Sequence, residues 1–427
     1  MKQYAEYKDS GVEWIGEIPA GWKCYPLFAI ASENIQKNRG LSCKNLLSLS
    51  YGKIIKKDIE TNFGLLPESF ETYQIVPAGS VVMRLTDLQN DKRSLRTGYV
   101  TETGIITSAY LGLVPSKDIG SEYFSYLLHA YDLMKIYYSL GGGVRQTLNY
   151  TDIRRLPVII PQHTEQQAIA AYLDRKTATI DTLIATKQRL IDLLKEKRQA
   201  IISEAVTKGL DPTVPMKDSG VEWIGEIPAD WDVYKTSHVF SEVGSGTTPK
   251  SDLYDYYSDG DVPWLITGDL NDSVILSTTK NVTKKALLDY SVLKKYSAGS
   301  IVIAMYGATI GKLGITGIEC CTNQACCVLS KPVCAQTEYL FYSLFACRRQ
   351  LLFLAQGGGQ PNINQMVVRE LRLCIPSIAE QEKIIAYLDQ QTTAIDTLIT
   401  NITTQIEKLK EYRQAIISEA VTGKVEI

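Results

Sequence analysis

One stretch of about forty residues occurs twice and limits what this chain can fold into. The first copy runs from Glu165 to Thr207 and the second from Glu380 to Thr422, and the two align without a gap. Neither contains Gly or Pro. A run of that length without a helix breaker predicts a single helix about 65 Å long, far beyond an ordinary globular helix of about 11–12 residues. In the first copy the apolar residues Ile169, Leu173, Ile180, Leu183, Leu190, Leu194 and Ile201 form a stripe, widened by Ile184 and Ile191. In the second they are Ile384, Leu388, Ile395, Leu398, Ile402, Leu409 and Ile416, with Ile399 and Ile406 beside them. Steps of three, four and seven are coiled-coil spacing. A lone helix would leave this stripe in water. The expectation is that the two helices pack on each other, antiparallel, each serving its own globular domain. The competing arrangement buries each helix in its own domain.

A second repeat confirms the duplication. Lys8–Ala20 (KDSGVEWIGEIPA) recurs identically as Lys217–Ala229, and Trp22 recurs as Trp231. Its Gly, Pro and Trp content predicts an irregular packing strap with Trp anchors. The halves then diverge, over about Lys23–Ser121 and Asp232–Thr337. Short β patterns flank Pro77-Ala78-Gly79 and follow Ser297-Ala298-Gly299. The halves converge again at the helical stretches Glu122–Leu140 and Glu338–Gln356. Each ends in a glycine triplet, Gly141–Gly143 and Gly357–Gly359, and is followed by an apolar strand, Leu156–Pro161 and Leu371–Pro376. Thr164 with Gln167, and Ser377 with Glu380, each fit a capping box at the start of a long helix, although the two do not superpose in the repeat. Gly209 and Gly423 end the helices. The expected fold is α+β, with mixed globular domains at 1–161 and 210–376 and long helices at 162–209 and 377–427. Ends shared and middles divergent imply the same kind of job done twice on different targets.

At 427 residues the chain has room for more than one domain, and 45% hydrophobic with 22% charged residues is ordinary globular composition. No apolar run is long enough to cross a bilayer, and MKQYAEYKDSG lacks the apolar core of a signal peptide, so a cytoplasmic protein is expected. Nine Cys, an odd number in a chain this large, argue against a disulfide framework. Cys320, Cys321, Cys326, Cys327 and Cys334 cluster without a Cys-x-x-Cys pair and read as buried thiols, so no metal is expected.

Catalytic motifs are missing. His129, His163 and His238 fall opposite Phe345, Ile378 and Ala29 in the repeat, so none recurs and structural roles are expected. Gly307–Lys312 (GATIGK) is one residue short of a phosphate-binding loop, and Leu313 stands where a magnesium-holding Ser or Thr belongs. Gly244-Ser245-Gly246 lacks the setting of a dinucleotide fingerprint. No adenine-methyltransferase signature and no helicase motif is present. Net charge is −2, which neither favours nor excludes nucleic acid, because local patches can hide in it. Basic residues do gather in the divergent regions: Lys53, Lys56, Lys57, Arg84, Lys92, Arg93 and Arg96 in one half, Lys280, Lys284, Lys285, Lys294 and Lys295 in the other. Tyr outnumbers Phe 25 to 8 and can reach phosphates or bases. The segment RQAIISEAVT, Arg198–Thr207 and again Arg413–Thr422, offers two equivalent docking surfaces to two copies of a partner, with Arg198, Gln199, Glu204, Arg413, Gln414 and Glu419 as candidates.

Taken together, the duplicated KDSGVEWIGEIPA strap, GVRQTLNYTDIRRLPVIIPQHTEQQAIAAYLD with its copy, and RQAIISEAVT twice make the whole chain resemble the specificity subunit of Type I restriction–modification enzymes. VPWLITGDL (Val262–Leu270), GATIGK and TNQA (Thr322–Ala325) look like patterns of that family's target-recognition domains. Half one departs from them: Ser108 and Ala109 stand where half two has Asn323 and Gln324. The resemblance implies a non-catalytic subunit whose two domains each read one half of a split, asymmetric double-stranded DNA site. The long helices would form an antiparallel coiled coil that sets the gap. Two modification subunits would supply S-adenosylmethionine-dependent adenine methylation, and restriction subunits would add ATP/Mg-driven translocation and cleavage. No cofactor would bind this chain, and no membrane is implied. The candidate DNA contacts in half two are Thr309, Lys312, Asn323 and Gln324 for bases, with Lys250, Lys284 and Lys285 for phosphates. In half one they are Arg84, Lys92, Arg93 and Arg96, with Arg145 further off. The rival is a coiled-coil scaffold that binds only proteins; a complete nuclease–methylase is disfavoured by the missing motifs.

Overall fold

A computed structural model describes residues 2–58, 69–89, 95–140, 147–355 and 361–427. The glycine triplets lie outside the described residues. The chain divides into two compact units, one of Met1–Gln188 with Thr403–Ile427 and one of Arg189–Ile402. These units cut across the linear division, because each takes segments of both long helices.

Each unit is α+β and carries one copy of the strap. Tyr7–Asp9 pairs antiparallel with Glu17–Pro19 in the first unit, and Met216–Asp218 with Glu226–Pro228 in the second. The strap is tied to the start of a long helix by its Trp. Trp22 Nε1 donates to Glu165 Oε1 at 3.0 Å, and Trp231 Nε1 to Glu380 Oε2 at 3.0 Å. A buried indole needs such an acceptor for its N–H, which is why the two Trp and the two Glu recur together.

The divergent middles share a sheet frame that their sequences hide. In the first unit one sheet has the strand order Ala31–Glu33, Leu111–Pro115, Val81–Met83, Thr97–Tyr99. In the second the order is Phe240–Ser245, Cys326–Pro332, Ile301–Ala304, Leu313–Thr316, with Ser273–Ile275 added at the edge. The strands Val81–Met83 and Ile301–Ala304 are buried throughout, as an apolar central strand must be. A second sheet in each unit contains one parallel pair, Leu46–Ser50 with Gly104–Ile106 and Val262–Leu265 with Cys321–Thr322.

The long helices span His163–Lys208 and Ile378–Val421. They start at equivalent positions. Ser377 Oγ accepts from the Glu380 N–H at 3.4 Å, one of the two bonds of the expected capping box, while the Glu380 carboxylate goes to Trp231; Thr164 lies inside the first turn of its helix, so the cap expected there is corrected. Local pattern could not see what holds both starts, a buried Gln. Gln166 donates to Pro161 O at 3.0 Å and accepts from the Gly120 N–H at 2.7 Å; Gln381 donates to Pro376 O at 2.9 Å and accepts from the Gln336 N–H at 2.8 Å.

Within each unit the helix segments run antiparallel. In the first, Arg413 Nε lies 2.9 Å from Asp181 Oδ1 and Lys187 Nζ donates to Gln405 Oε1 at 2.6 Å. In the second, Arg198 Nε lies 3.4 Å from Asp396 Oδ1. The buried seam is displaced from the expected stripe. Ile180 and Ile191 are buried and Ile184 half-buried, while Leu183 and Leu190 are exposed. The second helix repeats this with Ile395, Ile399, Ile402 and Ile406 inward and Leu398 exposed. A helix of 3.6 residues per turn drifts off a strict seven-residue repeat, and the flanking Ile residues take over the seam.

The repeated RQAIISEAVT segment closes the cores. Ile417, Ala420 and Val421 belong to the core of the first unit, and Ile202, Ala205 and Val206 to that of the second. Buried Tyr123 donates from its hydroxyl to Ile159 O at 3.0 Å and lies 3.3 Å from Val421 O. Tyr339 does the same with Cys374 O at 2.8 Å and Val206 O at 3.4 Å. Much of the identity of these two segments therefore serves intrachain packing. Among the described residues no helix is long and apolar enough to cross a membrane.

Candidate nucleic-acid interface

In the second unit the loops at one end of the two sheets converge. Segment 246–250 follows the edge strand Phe240–Ser245. Gly246 is required there, because a Cβ would lie 1.7 Å from Thr322 O. Trp264 Nε1 donates to Thr247 O at 3.3 Å, Tyr257 Oη to Pro249 O at 2.6 Å, and the Lys250 N–H to Tyr290 Oη at 3.2 Å. Those bonds hold the backbone and leave the Thr248 and Lys250 side chains exposed. Thr248 Oγ1 donates to Gln324 Oε1 at 2.6 Å. Asn323 Oδ1 accepts from the Ala325 N–H at 3.1 Å, so this side chain shapes the turn that presents Gln324.

The Gly307–Lys312 loop joins that cluster through the end of the central strand. The Met305 N–H donates to Ala325 O at 2.8 Å, and the Gly311 N–H to Ala304 O at 3.0 Å. Gly307 and Gly311 have φ +64° and +76°, left-handed values that suit Gly. Thr309 Oγ1 is turned onto its own loop, donating to Tyr306 O at 2.8 Å. Lys312 is exposed and makes no ion pair among the described residues, and Tyr306 is 45% exposed beside it. Lys284 and Lys285 sit on the short helix Lys284–Asp289, paired with Asp261 at 3.1 Å and Asp255 at 2.7 Å. The lysines hold both carboxyls below the usual carboxylate range. Exposed pairs of this kind are weak and screened by water and salt, so a phosphate can displace the carboxylates.

The first unit is built on the same plan with other residues. Ser108 Oγ accepts from Lys37 Nζ at 2.7 Å and donates to Thr72 O at 2.6 Å. By strand order this pair stands where the second unit has Gln324 with Thr248. Lys37 escaped the sequence reading because no repeat marks it; only the shared sheet order finds it. Arg96 is corrected. It is fully buried and cannot be the surface phosphate contact expected. Its Nη1 donates to Thr86 O at 2.8 Å, Nη2 to Asp87 O at 3.3 Å and Nε to Tyr138 Oη at 3.2 Å, while its backbone N–H bonds Asp132. Burial pushes the Asp132 carboxyl up to about 6. Arg84 is half-buried next to it, its N–H donating to Arg96 O at 2.8 Å. Lys92, Arg93 and Arg145 lie outside the described residues.

Of the docking candidates, Glu204, Gln414 and Glu419 are exposed. Arg198 and Arg413 are spent on the interhelix ion pairs, and Gln199 Nε2 donates to Phe345 O at 3.3 Å. His129 is half-buried against Thr97 Oγ1 at 3.3 Å, and burial with the nearby Arg413 charge lowers it to about 4. Cys320, Cys321, Cys326 and Cys327 are buried, and burial pushes Cys320 up to about 11 and Cys321 and Cys327 to about 12.

The sequence profile of the Type I restriction modification DNA specificity domain matches residues 81–192 and 228–408, more than half of the chain. The EcoR124I/EcoR124II type I restriction enzyme specificity subunit of Escherichia coli is 22% identical over 317 residues, 72% of each chain. The MjaIX specificity subunit of Methanocaldococcus jannaschii is 31% identical over 194 residues, 44% of this chain and 43% of that one. A solved chain from work on complex assembly and conformational transition of the type I R-M system superposes with a TM-score of 0.71 at 15% identity, over 96% of this chain and 99% of that one. The duplicated frame, the variable loops it carries and the twofold profile match agree: the chain belongs to the Type I restriction–modification DNA specificity family.

Proposed function

We propose that this chain reads a bipartite, asymmetric DNA site, one half-site per unit, through the loop clusters at the ends of the two sheet frames. The observation that carries the proposal is the frame itself: one strand order in both units, holding loops of different sequence. In the second unit Gln324 and Thr248 read base edges, with Lys250 and Lys312 on phosphates and Lys284 and Lys285 exchanging their carboxylates for phosphates. In the first, Lys37 and Ser108 take the equivalent place, beside Arg84. The long helices set the number of base pairs between the half-sites. Exposed Leu183 and its repeat counterpart Leu398, with Glu204 and Glu419, offer matching surfaces to two modification subunits. Those subunits use S-adenosylmethionine for adenine methylation; restriction subunits use ATP with Mg. This chain works in the cytoplasm and contributes recognition, not bond-making.

The test is a hybrid chain in which residues 23–121 are replaced by the corresponding segment of another family member. Methylome sequencing of a host carrying the hybrid and the modification subunit should show one changed half-site and one unchanged. A change in both halves, or in neither, sinks the proposal.

A further inference from the structure

We infer that Arg348, braced by Asp272, is a positioning residue that sets the geometry of the Gly307–Lys312 loop and so sharpens base discrimination by the second unit without touching DNA. This rests on the reading of that loop as a DNA-contacting element. Arg348 opens the short helix Arg348–Leu354. Its Nε donates to Gly311 O at 2.8 Å, Nη1 donates to Asp272 Oδ2 at 3.1 Å, and Nη2 bonds Asp272 Oδ1. The guanidinium also lies over the Phe345 ring, 4.3 Å from its centroid. Each of its three nitrogens is therefore committed inside the unit, and the side chain is only 21% exposed.

Asp272 extends the grip. Its Oδ1 accepts from the Leu313 N–H at 3.0 Å, and its own N–H donates to Leu313 O at 2.9 Å. The pair thus holds the last glycine of the loop and the strand that follows it. Asp272 has φ +62°, a conformation that costs a non-Gly residue energy and persists only where contacts over-determine it. A Cβ on Gly311 would meet Arg348 Cγ at 3.0 Å, so the loop and the brace fit closely. Lys at 348 could not serve a carbonyl and both carboxylate oxygens at once, because it brings a point charge where a planar fork is needed. With the brace intact, the exposed Lys312 is presented from a loop anchored at its base.

The experiment uses the full chain with the modification subunit, comparing R348K, R348M, D272N and K312A. Half-site preference is read by methylome sequencing, and the salt dependence of DNA binding is read in solution. R348K and D272N should each lower discrimination at the second half-site by about tenfold or more, leaving the first half-site and the salt slope unchanged. K312A should reduce the slope by about one. A slope lowered by about one in the charge-free R348M, as for K312A, would make Arg348 itself a phosphate ligand and overturn the inference. Unchanged preference at the second half-site overturns it too. Loss of both half-sites together would make the pair a determinant of folding and also overturn it. If the unaltered chain recognises no bipartite sequence, the functional reading fails, and the inference falls with it.

Discussion

The two units solve one problem twice with different chemistry. Each must hold the segment that follows its central strand, and each uses Arg and Asp to do so. In the second unit Arg348 comes from the helix Arg348–Leu354 and Asp272 from the residue before the strand Ser273–Ile275, and the pair is partly exposed. In the first unit the Arg96 guanidinium holds the Thr86 and Asp87 carbonyls, and Asp132 accepts the Arg96 backbone N–H. Arg96 comes from the divergent region, Asp132 from the helix Ser121–Leu133, and both are buried. The contrast teaches that the frame constrains where a loop must be held, not which residue holds it. By the same logic the parts that recur identically are those whose partners also recur: Trp with Glu, Tyr with a helix end, Gln with a strand end.

The sharpest way to break this comparison is to remove an anchor from each half. Trp22→Ala and Trp231→Ala should each cost about 3–5 kcal/mol, since each deletes a buried indole. Thermal unfolding of both variants should show similar losses. A large loss in one and a negligible one in the other would mean the straps are not equivalent.

A second test exploits a place where the halves differ. His129 occupies the position of Phe345 in the repeat. Its folded value of about 4 lies below the ordinary value of 6.5, so the neutral form is favoured. The stability it contributes is complete above pH 6.5 and is lost as pH falls from 6.5 towards 4. His129→Phe should flatten the acid limb of the stability profile of the first unit, followed by hydrogen exchange between pH 4 and 7. An unaltered limb would show that another group controls it.

The smallest expected effect comes from the tyrosine hydroxyls. Tyr123→Phe and Tyr339→Phe should each cost about 1 kcal/mol, the ordinary worth of a buried hydrogen bond. Equal shifts in denaturant midpoint would sharpen the equivalence of the two closures; unequal ones would locate where it ends.

Much of this molecule is legible in its sequence. Repeats reveal the duplication, breaker-free runs reveal the long helices, and the Trp-rich strap reads as an anchor. Sequence also picked Gln324, Lys250 and Lys312, which the fold brings to neighbouring loops. It failed where long-range packing decides. Arg96 looks like any exposed Arg in a basic cluster until its guanidinium is seen held by Thr86 O, Asp87 O and the Tyr138 hydroxyl, the last 42 residues away. Lys37 and Ser108 carry no motif, and only strand order reveals their place. The leucines at 183, 190 and 398 match a heptad better than the isoleucines beside them, yet helical drift turns them outward.

The reach of Tyr123 to Val421 has a consequence for how the chain is made. The second unit is one continuous segment, Arg189–Ile402. The first unit begins at the N-terminus but includes Thr403–Ile427, and its core contains Ile417, Ala420 and Val421. The part translated first is therefore the part completed last. The surface around Tyr123 waits uncovered until the turns carrying Ile417, Ala420 and Val421 have followed the second unit out of the ribosome, so the first unit cannot close before the second has been translated.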